Sequence, residues 1–404
     1  MSIFHFYVIF SAIAFMVIFS PKRRIDFISV GFLSQQLYFI PLTLQVFDID
    51  MLWGEYHYYT AVVGCYFVLC LMFFSLLKVH DSKGLVQIKP LIDLNIFSKI
   101  ICIMALLGFS FSFVASGGGI FFLSKQEMMK SLGYGYVLWS ISTIILIPFS
   151  IYLKNKFLMA VGAISMLVIV FIGFRSPAAI AIIASIISIC YANKISIYKL
   201  GMKNTLIIVI VGLLFFFYKG VYSGIKLGNY ELVLLRLTDV NYYLNSLVNS
   251  EPSMTTMILS KTLEHDLRID ISHFQNIIVS MGFFGPFQPD IQSFNSIMQP
   301  EFFPGLSWGV GSNVWANIYA ILGWGGLLLF ITFYCLSLYF ISFVLSRITG
   351  FYFLSLCPLA SYWAFYIHRN DLAYQISLEK RVGMIILLAA ILTFLVQKWC
   401  VNEK

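Results

Sequence analysis

The chain reads as a succession of long apolar runs separated by short polar ones. The runs fall at roughly 3–20, 27–47, 57–77, 97–115, 135–152, 157–174, 177–192, 205–222, 313–346, 351–367 and 382–400. Each approaches the ~20 residues of helix needed to cross hydrocarbon. The run at 313–346 is either one long span or a short helix followed by a span. None shows the strict alternation of a membrane β-barrel, so the backbone groups must be satisfied within helices. The expectation is an all-α polytopic membrane protein with about 11 transmembrane helices, within a range of about 10–12. The first run is followed, not preceded, by its charges, Lys22, Arg23 and Arg24. It reads as a retained span and not as a cleaved signal peptide.

One stretch breaks the pattern. Between about Lys219 and Trp308 no run is long enough to span, yet the segment is rich in Phe, Tyr, Leu and Ile. That composition predicts a folded loop and not disorder. It divides the chain into N-terminal spans (1–218), a large loop (219–310) and C-terminal spans (311–404). Within the loop, Glu231 to Val248 predicts one amphipathic helix with Arg236, Asp239, Tyr243 and Ser246 on a shared face. No internal repeat or inverted pair of broken helices stands out.

Composition agrees with the runs. Of 404 residues, 60% are apolar and only 11% charged, too few charges to cover a soluble domain. The net charge of +8 has a plain explanation in the positive-inside rule, and no compact basic patch points to nucleic acid. If Lys22, Arg23 and Arg24 are cytoplasmic, alternating spans place Lys78–Lys99, Lys154 and Lys156, Lys194–Lys203 and Arg347 on the same side. Most acids, from Asp48 and Asp50 to Asp371 and Glu379, then fall on the other side with the large loop. The cysteines lack CxxC spacing and the histidines lack HExxH spacing, so no metal site is expected. The glycines Gly117–Gly119 are not followed by GKS/T, so no phosphate loop is expected and no cofactor is implied.

Ionisable residues at membrane depth carry the remaining signal, because hydrocarbon makes them costly. Arg175 stands where two apolar runs almost abut, in Gly173-Phe174-Arg175-Ser176-Pro177. It is either a snorkelling interfacial arginine or a ligand for phosphate. His368-Arg369-Asn370-Asp371 ends another run, as a helix cap and anchor or as an interfacial site. The loop holds Arg236 and a polar cluster: Glu264, His265, Asp266, Arg268, Asp270 and His273. For Arg236 the plain alternative is a pair with Asp239, and for the cluster a solvated turn.

Arginines collected on one face, beside an aromatic loop, suit a lipid-linked pyrophosphate. In the many spans, the abutting runs at Gly173-Phe174-Arg175, the large loop, the glycine-rich run from Gly311-Ser312-Asn313 to Gly323-Trp324-Gly325-Gly326, and Arg369-Asn370-Asp371, the chain resembles the Wzy-type O-antigen polymerases. The resemblance implies a bacterial inner-membrane glycosyltransferase acting at the periplasmic face without metal or cofactor. Its partners would be undecaprenyl-pyrophosphate-linked donor and acceptor oligosaccharides, membrane lipid and a chain-length regulator protein. Arg175, Arg236, Arg369 and Arg268 would hold pyrophosphate, Tyr243 and Asp239 the sugars, and His265 or Glu264 would be the base. Three alternatives stay open: an O-antigen ligase, another polyprenyl-linked glycosyltransferase, and a lipid-glycan flippase or transporter.

Overall fold

The protein is seen in a computed structural model that describes residues 2–21, 23–47, 49, 54–77, 91–121, 131–193, 195, 201, 206, 210, 212, 221–222, 224–225, 228–282, 291–306 and 310–402. Every regular element among them is helical. In chain order these are α1 (Ile3–Ile18), α2 (Phe27–Tyr38), α3 (Ile40–Val46), α4 (Tyr58–Leu76), α5 (Leu94–Ala115), α6 (Gly133–Tyr152), α7 (Lys156–Phe171) and α8 (Ser176–Ala192). There follow α9 (Tyr230–Thr238), α10 (Val240–Val248), α11 (Glu251–Glu264), α12 (Ile271–Met281), α13 (Phe294–Phe302), α14 (Val314–Leu345), α15 (Gly350–Ser361) and α16 (Leu372–Asn402). A π turn (Tyr362–Tyr366) and a 3-10 turn (Ile367–Arg369) extend α15.

Among the described residues six helical segments are long and apolar enough to cross a membrane: α4, α5, α6, α14, Gly350–Arg369 and α16. The pair α2 and α3, bent by 51°, makes a seventh if counted as one broken span. Helices α1, α7 and α8 are apolar but shorter. The run expected at 205–222 lies almost wholly outside the described residues.

The chain forms two compact units that interleave in sequence. The first comprises Met1–His80, Tyr243–Phe343 and Tyr362–Leu378; the second comprises Asp81–Tyr242, Val344–Ser361 and Glu379–Lys404.

In the second unit α5 and α6 pack backbone to backbone. A Cβ on Gly108 would collide with the backbone nitrogen of Trp139, and one on Gly135 would lie 3.0 Å from the backbone nitrogen of Ser112. Small residues at such crossings let dispersion contacts hold helices together where no hydrophobic force acts between them. The turn between α7 and α8 is as tight as the sequence predicts. Gly173, at φ +101°, closes α7, with Gly173 N–H donating to Val170 O and Phe174 N–H to Ile169 O. Arg175 follows at once as the residue capping α8, and Pro177 in the first turn needs no hydrogen-bond donor there.

The first unit is distinguished by broken helices. The α2–α3 break falls at Phe39, where Pro41 removes a donor; the hydroxyl of Thr256 donates to the carbonyl of Tyr38. At the π turn the carbonyls of Ala364 and Phe365 accept from Tyr334 OH (2.8 Å) and Ser34 Oγ (2.6 Å). The third break is in α14 at Gly323, with φ 68° and ψ −164°, a conformation open essentially to glycine alone. Trp315 and Tyr334 would be ~28 Å apart along a straight helix, at 1.5 Å per residue. Their ring centroids are 5.4 Å apart. The chain therefore folds back: Val314–Leu322 lies against the span Trp324–Leu345. Of the two readings of 313–346, the structure takes the short helix plus a span. Broken helices, expected from the sequence only as one of two readings of 313–346, are thus a main feature of this unit.

The expected single helix over 231–248 is likewise two, α9 and α10. Asp239 ends α9 in an extended conformation, and its carboxylate accepts from Asn241 N–H at 2.9 Å. Asp favours such local capping over helix continuation, so Arg236 and Tyr243 are not on one continuous face.

Candidate functional site

The fold-back of α14 creates polar groups that must be satisfied. A helix ending at Leu322 leaves its last carbonyls without intrahelical donors. Arg268 Nη1 donates to Tyr319 O at 3.2 Å, and Ile269 N–H donates to Ala320 O at 2.9 Å. The guanidinium also lies 4.6 Å from the Tyr319 ring centroid and pairs with Asp266 at 2.7 Å. Tyr319 OH donates to the same Asp266 oxygen at 2.7 Å. The hydroxyl of Tyr319, and then Arg268, hold the Asp266 carboxyl below its ordinary range. Arg268 has a structural occupation, capping a helix end whose dipole favours a cation.

Asp266 reaches this position because it closes α11. It takes φ 49°, the Leu267 N–H donates to Thr262 O at 3.2 Å, and His265 is the capping residue. Glu264 and His265 are exposed at this end, and His265 stacks on Phe302 at 5.5 Å. The cluster at 264–270 is therefore mainly an exposed turn.

The other end of α11 is buried and more polar. Three helix N-termini meet there. Ser250 caps α11 at Ser253 N–H (3.3 Å), and Asn313 caps α14 at Ala316 N–H (3.0 Å). Asp371 caps α16 at Tyr374 N–H (2.8 Å) and also accepts from Phe294 N–H at 3.2 Å. They are tied together by Asn313 Nδ2 donating to Thr255 O (2.9 Å) and Leu372 N–H donating to Asn317 Oδ1 (3.3 Å). Aligned peptide dipoles make each N-terminus attractive to anions.

Arg369 stands among them. Its guanidinium pairs with Glu251 and donates to Tyr366 OH at 2.7 Å, and its carbonyl accepts from Ser312 N–H at 3.2 Å. Its side chain keeps about a third of its exposure, 33%. Ser312 Oγ and Asn317 Nδ2 are buried and have no hydrogen-bond partner among the described residues. Asn370 Nδ2 donates to Gln375 Oε1 at 2.7 Å.

His368, one residue earlier, is fully buried in an aromatic cage. Trp315 Nε1 donates to its Nδ1 at 3.0 Å, which leaves the ring proton on Nε2. Tyr38 stacks on it at 5.5 Å, and Phe67 and Tyr334 lie at 5.5 and 6.1 Å. Phe67 and Tyr334 are mid-span residues of α4 and of Trp324–Leu345, so the His368 ring lies at mid-span depth.

His273 on α12 faces the Asp371 carboxylate electrostatically. Burial pushes the imidazole below its usual value, against the pull of Asp371. Burial pushes Asp371 up, against the hydrogen bonds from Tyr374 and Phe294 and the nearness of His273.

The first unit thus assembles Arg369, Arg268, Glu264 and His265 from the residues singled out by sequence, and Tyr243 belongs to it as well. Arg175, Arg236 and Asp239 belong to the second unit. There Arg236 lies 6.0 Å from the Tyr242 ring centroid, and Arg175 sits at the α8 N-terminus. Sequence reasoning gave no site role to Glu251, Asn313, Asn317 or Trp315. The amides Asn313 and Asn317, one helical turn apart in an apolar run, were the available signal.

Apolar helices of spanning length, broken helices with every freed carbonyl named above satisfied, and a polar layer at helix ends define an α-helical polytopic membrane protein. Compared with protein-family models, with curated proteins and with solved structures, the chain matches none.

Proposed function

We propose that the protein is a polymerase of lipid-linked oligosaccharides, an O-antigen polymerase or the polymerase of a related surface polysaccharide. In this reading about eleven helices span a bacterial inner membrane, with the N-terminus and the 219–310 loop on the periplasmic side. A hydroxyl of the acceptor repeat unit attacks the anomeric carbon of the donor glycan. The bond from that carbon to the pyrophosphate oxygen breaks, undecaprenyl pyrophosphate departs, and the hydroxyl proton passes to a base.

The observation that carries the reading is the convergence of the α11, α14 and α16 N-termini on Arg369. One guanidinium and three helix N-termini supply the electrostatics a departing diphosphate needs without a metal. Glu251 occupies Arg369 and would be displaced by the phosphate oxygens. Ser312 Oγ and Asn317 Nδ2 offer a hydroxyl and an amide to sugar hydroxyls. Among the base candidates His273 has the surroundings of a base: part burial keeps it neutral, and Asp371 can stabilise its protonated form. His265 and Glu264 are exposed at a helix end. Arg268 is a weaker phosphate ligand than sequence suggests, because it caps Tyr319 O and pairs with Asp266. Arg175 and Arg236 for pyrophosphate, and Tyr243 and Asp239 for sugar, are kept as candidates from the sequence alone.

A second reading, a flippase or transporter, is favoured by the broken helices around His368, since transporters build midplane sites from discontinuous helices. Reconstitution in liposomes with undecaprenyl-pyrophosphate repeat units separates the two. The polymerase reading expects longer glycans from wild type and none from Arg369→Ala at equal protein. Transfer of unextended lipids between leaflets by wild type would replace it with transport. In cells, loss of a polymerase leaves lipopolysaccharide core bearing one repeat unit, whereas bare core would indicate a ligase.

A further inference from the structure

Helix α12 has three faces, which its three- and four-residue steps separate. His273, Ile277 and Ser280 form one; Ile277 and Ser280 are buried, and His273 is half-buried and within electrostatic reach of Asp371. Ser272, Gln275 and Asn276 form a second, exposed and mainly polar, which also carries the exposed Val279. Ile271, Phe274, Ile278 and Met281 form a third. It is apolar, yet Ile271, Ile278 and Met281 are 47%, 46% and 43% exposed. A helix on the surface of a soluble domain needs two faces; a third, apolar and uncovered, implies a second medium.

The position of α12 identifies that medium. It begins three residues after Arg268, which is locked to the turn where α14 folds back into its membrane span. At that turn Trp324 packs edge-on to both Tyr59 and Tyr319, each at 5.2 Å. Tyr58 and Tyr59 open the span α4, and Tyr58 is 49% exposed. Tyr and Trp at the ends of adjoining spans mark the boundary between hydrocarbon and water. The apolar stripe of α12 begins two residues after Ile269, whose N–H donates to Ala320 O at 2.9 Å beside that belt.

We propose that α12 lies in the membrane interface, with Ile271, Phe274, Ile278 and Met281 among the lipid acyl chains and Ser272 and Asn276 in water. The occupant of the apolar stripe is phospholipid. The helix then forms a sill between the bilayer and the polar layer holding His273 and Asp371, so a lipid-anchored molecule diffusing laterally would meet it first. The inference rests on burial and the aromatic belt, and stands whether or not the protein polymerises glycans.

The test is differential quenching in proteoliposomes of phosphatidylethanolamine and phosphatidylglycerol. Ile278→Cys, Phe274→Cys and Asn276→Cys are made in a Cys400→Ser background, because Cys400 is the exposed native cysteine. Each carries an environment-sensitive fluorophore. Positions 274 and 278 are expected to be quenched by nitroxide on phospholipid acyl chains about twofold more than position 276, and 276 by aqueous iodide about twofold more than they are. Equal iodide quenching at 276 and 278 overturns the proposal in favour of a water-exposed helix. Protection of 274 and 278 from both quenchers overturns it in favour of a protein partner or a second copy.

Discussion

The guanidinium of Arg268 lies 4.6 Å from the Tyr319 ring centroid and donates to the Tyr319 carbonyl at 3.2 Å. One side chain thus closes the end of the half-helix Val314–Leu322, neutralises Asp266 and stacks on an aromatic ring. Lysine could supply the charge but not the planar fork that makes these contacts together. Arg268→Lys and Arg268→Ala are both expected to destabilise, Ala the more, through the uncapped Tyr319 carbonyl and the lost ring contact. Thermal unfolding in detergent followed by tryptophan fluorescence reads this directly.

Gly323 is the other half of that turn. Its φ of 68° and ψ of −164° exclude side chains, and a Cβ would lie 2.7 Å from Arg268 Nη1. Gly323→Ala should cost about 1–3 kcal/mol in backbone strain alone. The double variant Gly323→Ala/Arg268→Ala removes the collision but keeps the strain. Recovery of wild-type stability by that double variant would show the backbone conformation to be unimportant.

Acid should loosen the same turn. The Asp266 carboxyl is held low, chiefly by the Tyr319 hydroxyl and then by Arg268. A carboxyl depressed on folding contributes stability that is complete above its unfolded pKa and is lost as pH falls through the folded one. Melting temperatures should therefore fall less steeply below about pH 4 in Asp266→Asn than in wild type. Parallel curves would remove Asp266 from the account.

Glu251 and Arg369 separate structure from ligand binding. Removing either leaves its half-buried partner unpaired, so each single variant should lose stability. The double variant Glu251→Gln/Arg369→Gln should lose less than the sum of the two, as a thermodynamic cycle in melting measurements would show. On the proposed polymerase reading, Arg369→Gln should abolish polymerisation and Glu251→Gln should retain it, since an anionic ligand would take the place of Glu251. Equal loss of polymer in both would make the pair purely structural.

Asp371 serves two helices at once, through Tyr374 N–H and Phe294 N–H. Asp371→Asn keeps one acceptor and should cost less than Asp371→Ala, which loses the α16 cap, about 1 kcal/mol, and also leaves the Phe294 donor unsatisfied. Amide hydrogen exchange at Phe294 and Tyr374 would rise in the alanine variant first.

The ends of α4, α6 and α8 and the tight turn at Gly173 were legible because they depend on local properties, whereas α16 starts at Leu372, ten residues before its apolar run. Apolar length sets the helices, and a glycine before Arg175 and Pro177 permits only a short link. The amphipathic helix at 231–248 was misjudged because Asp239 prefers capping Asn241 N–H to extending a helix. Hydrophobic periodicity does not register that competition.

The long apolar runs, which lack the alternation of a β-barrel, determined by themselves that this is a helical membrane protein, because in hydrocarbon only helices then satisfy the backbone hydrogen bonds. Only the tertiary structure decided that α14 folds back at Gly323, that α2–α3 and the π turn break beside His368, and that three helix N-termini meet at Arg369. Those choices depend on donors from distant segments, Arg268 for Tyr319 O, Thr256 for Tyr38 O and Tyr334 for Ala364 O. A membrane helix breaks only where such partners arrive, and their arrival is a property of packing rather than of any local stretch of sequence.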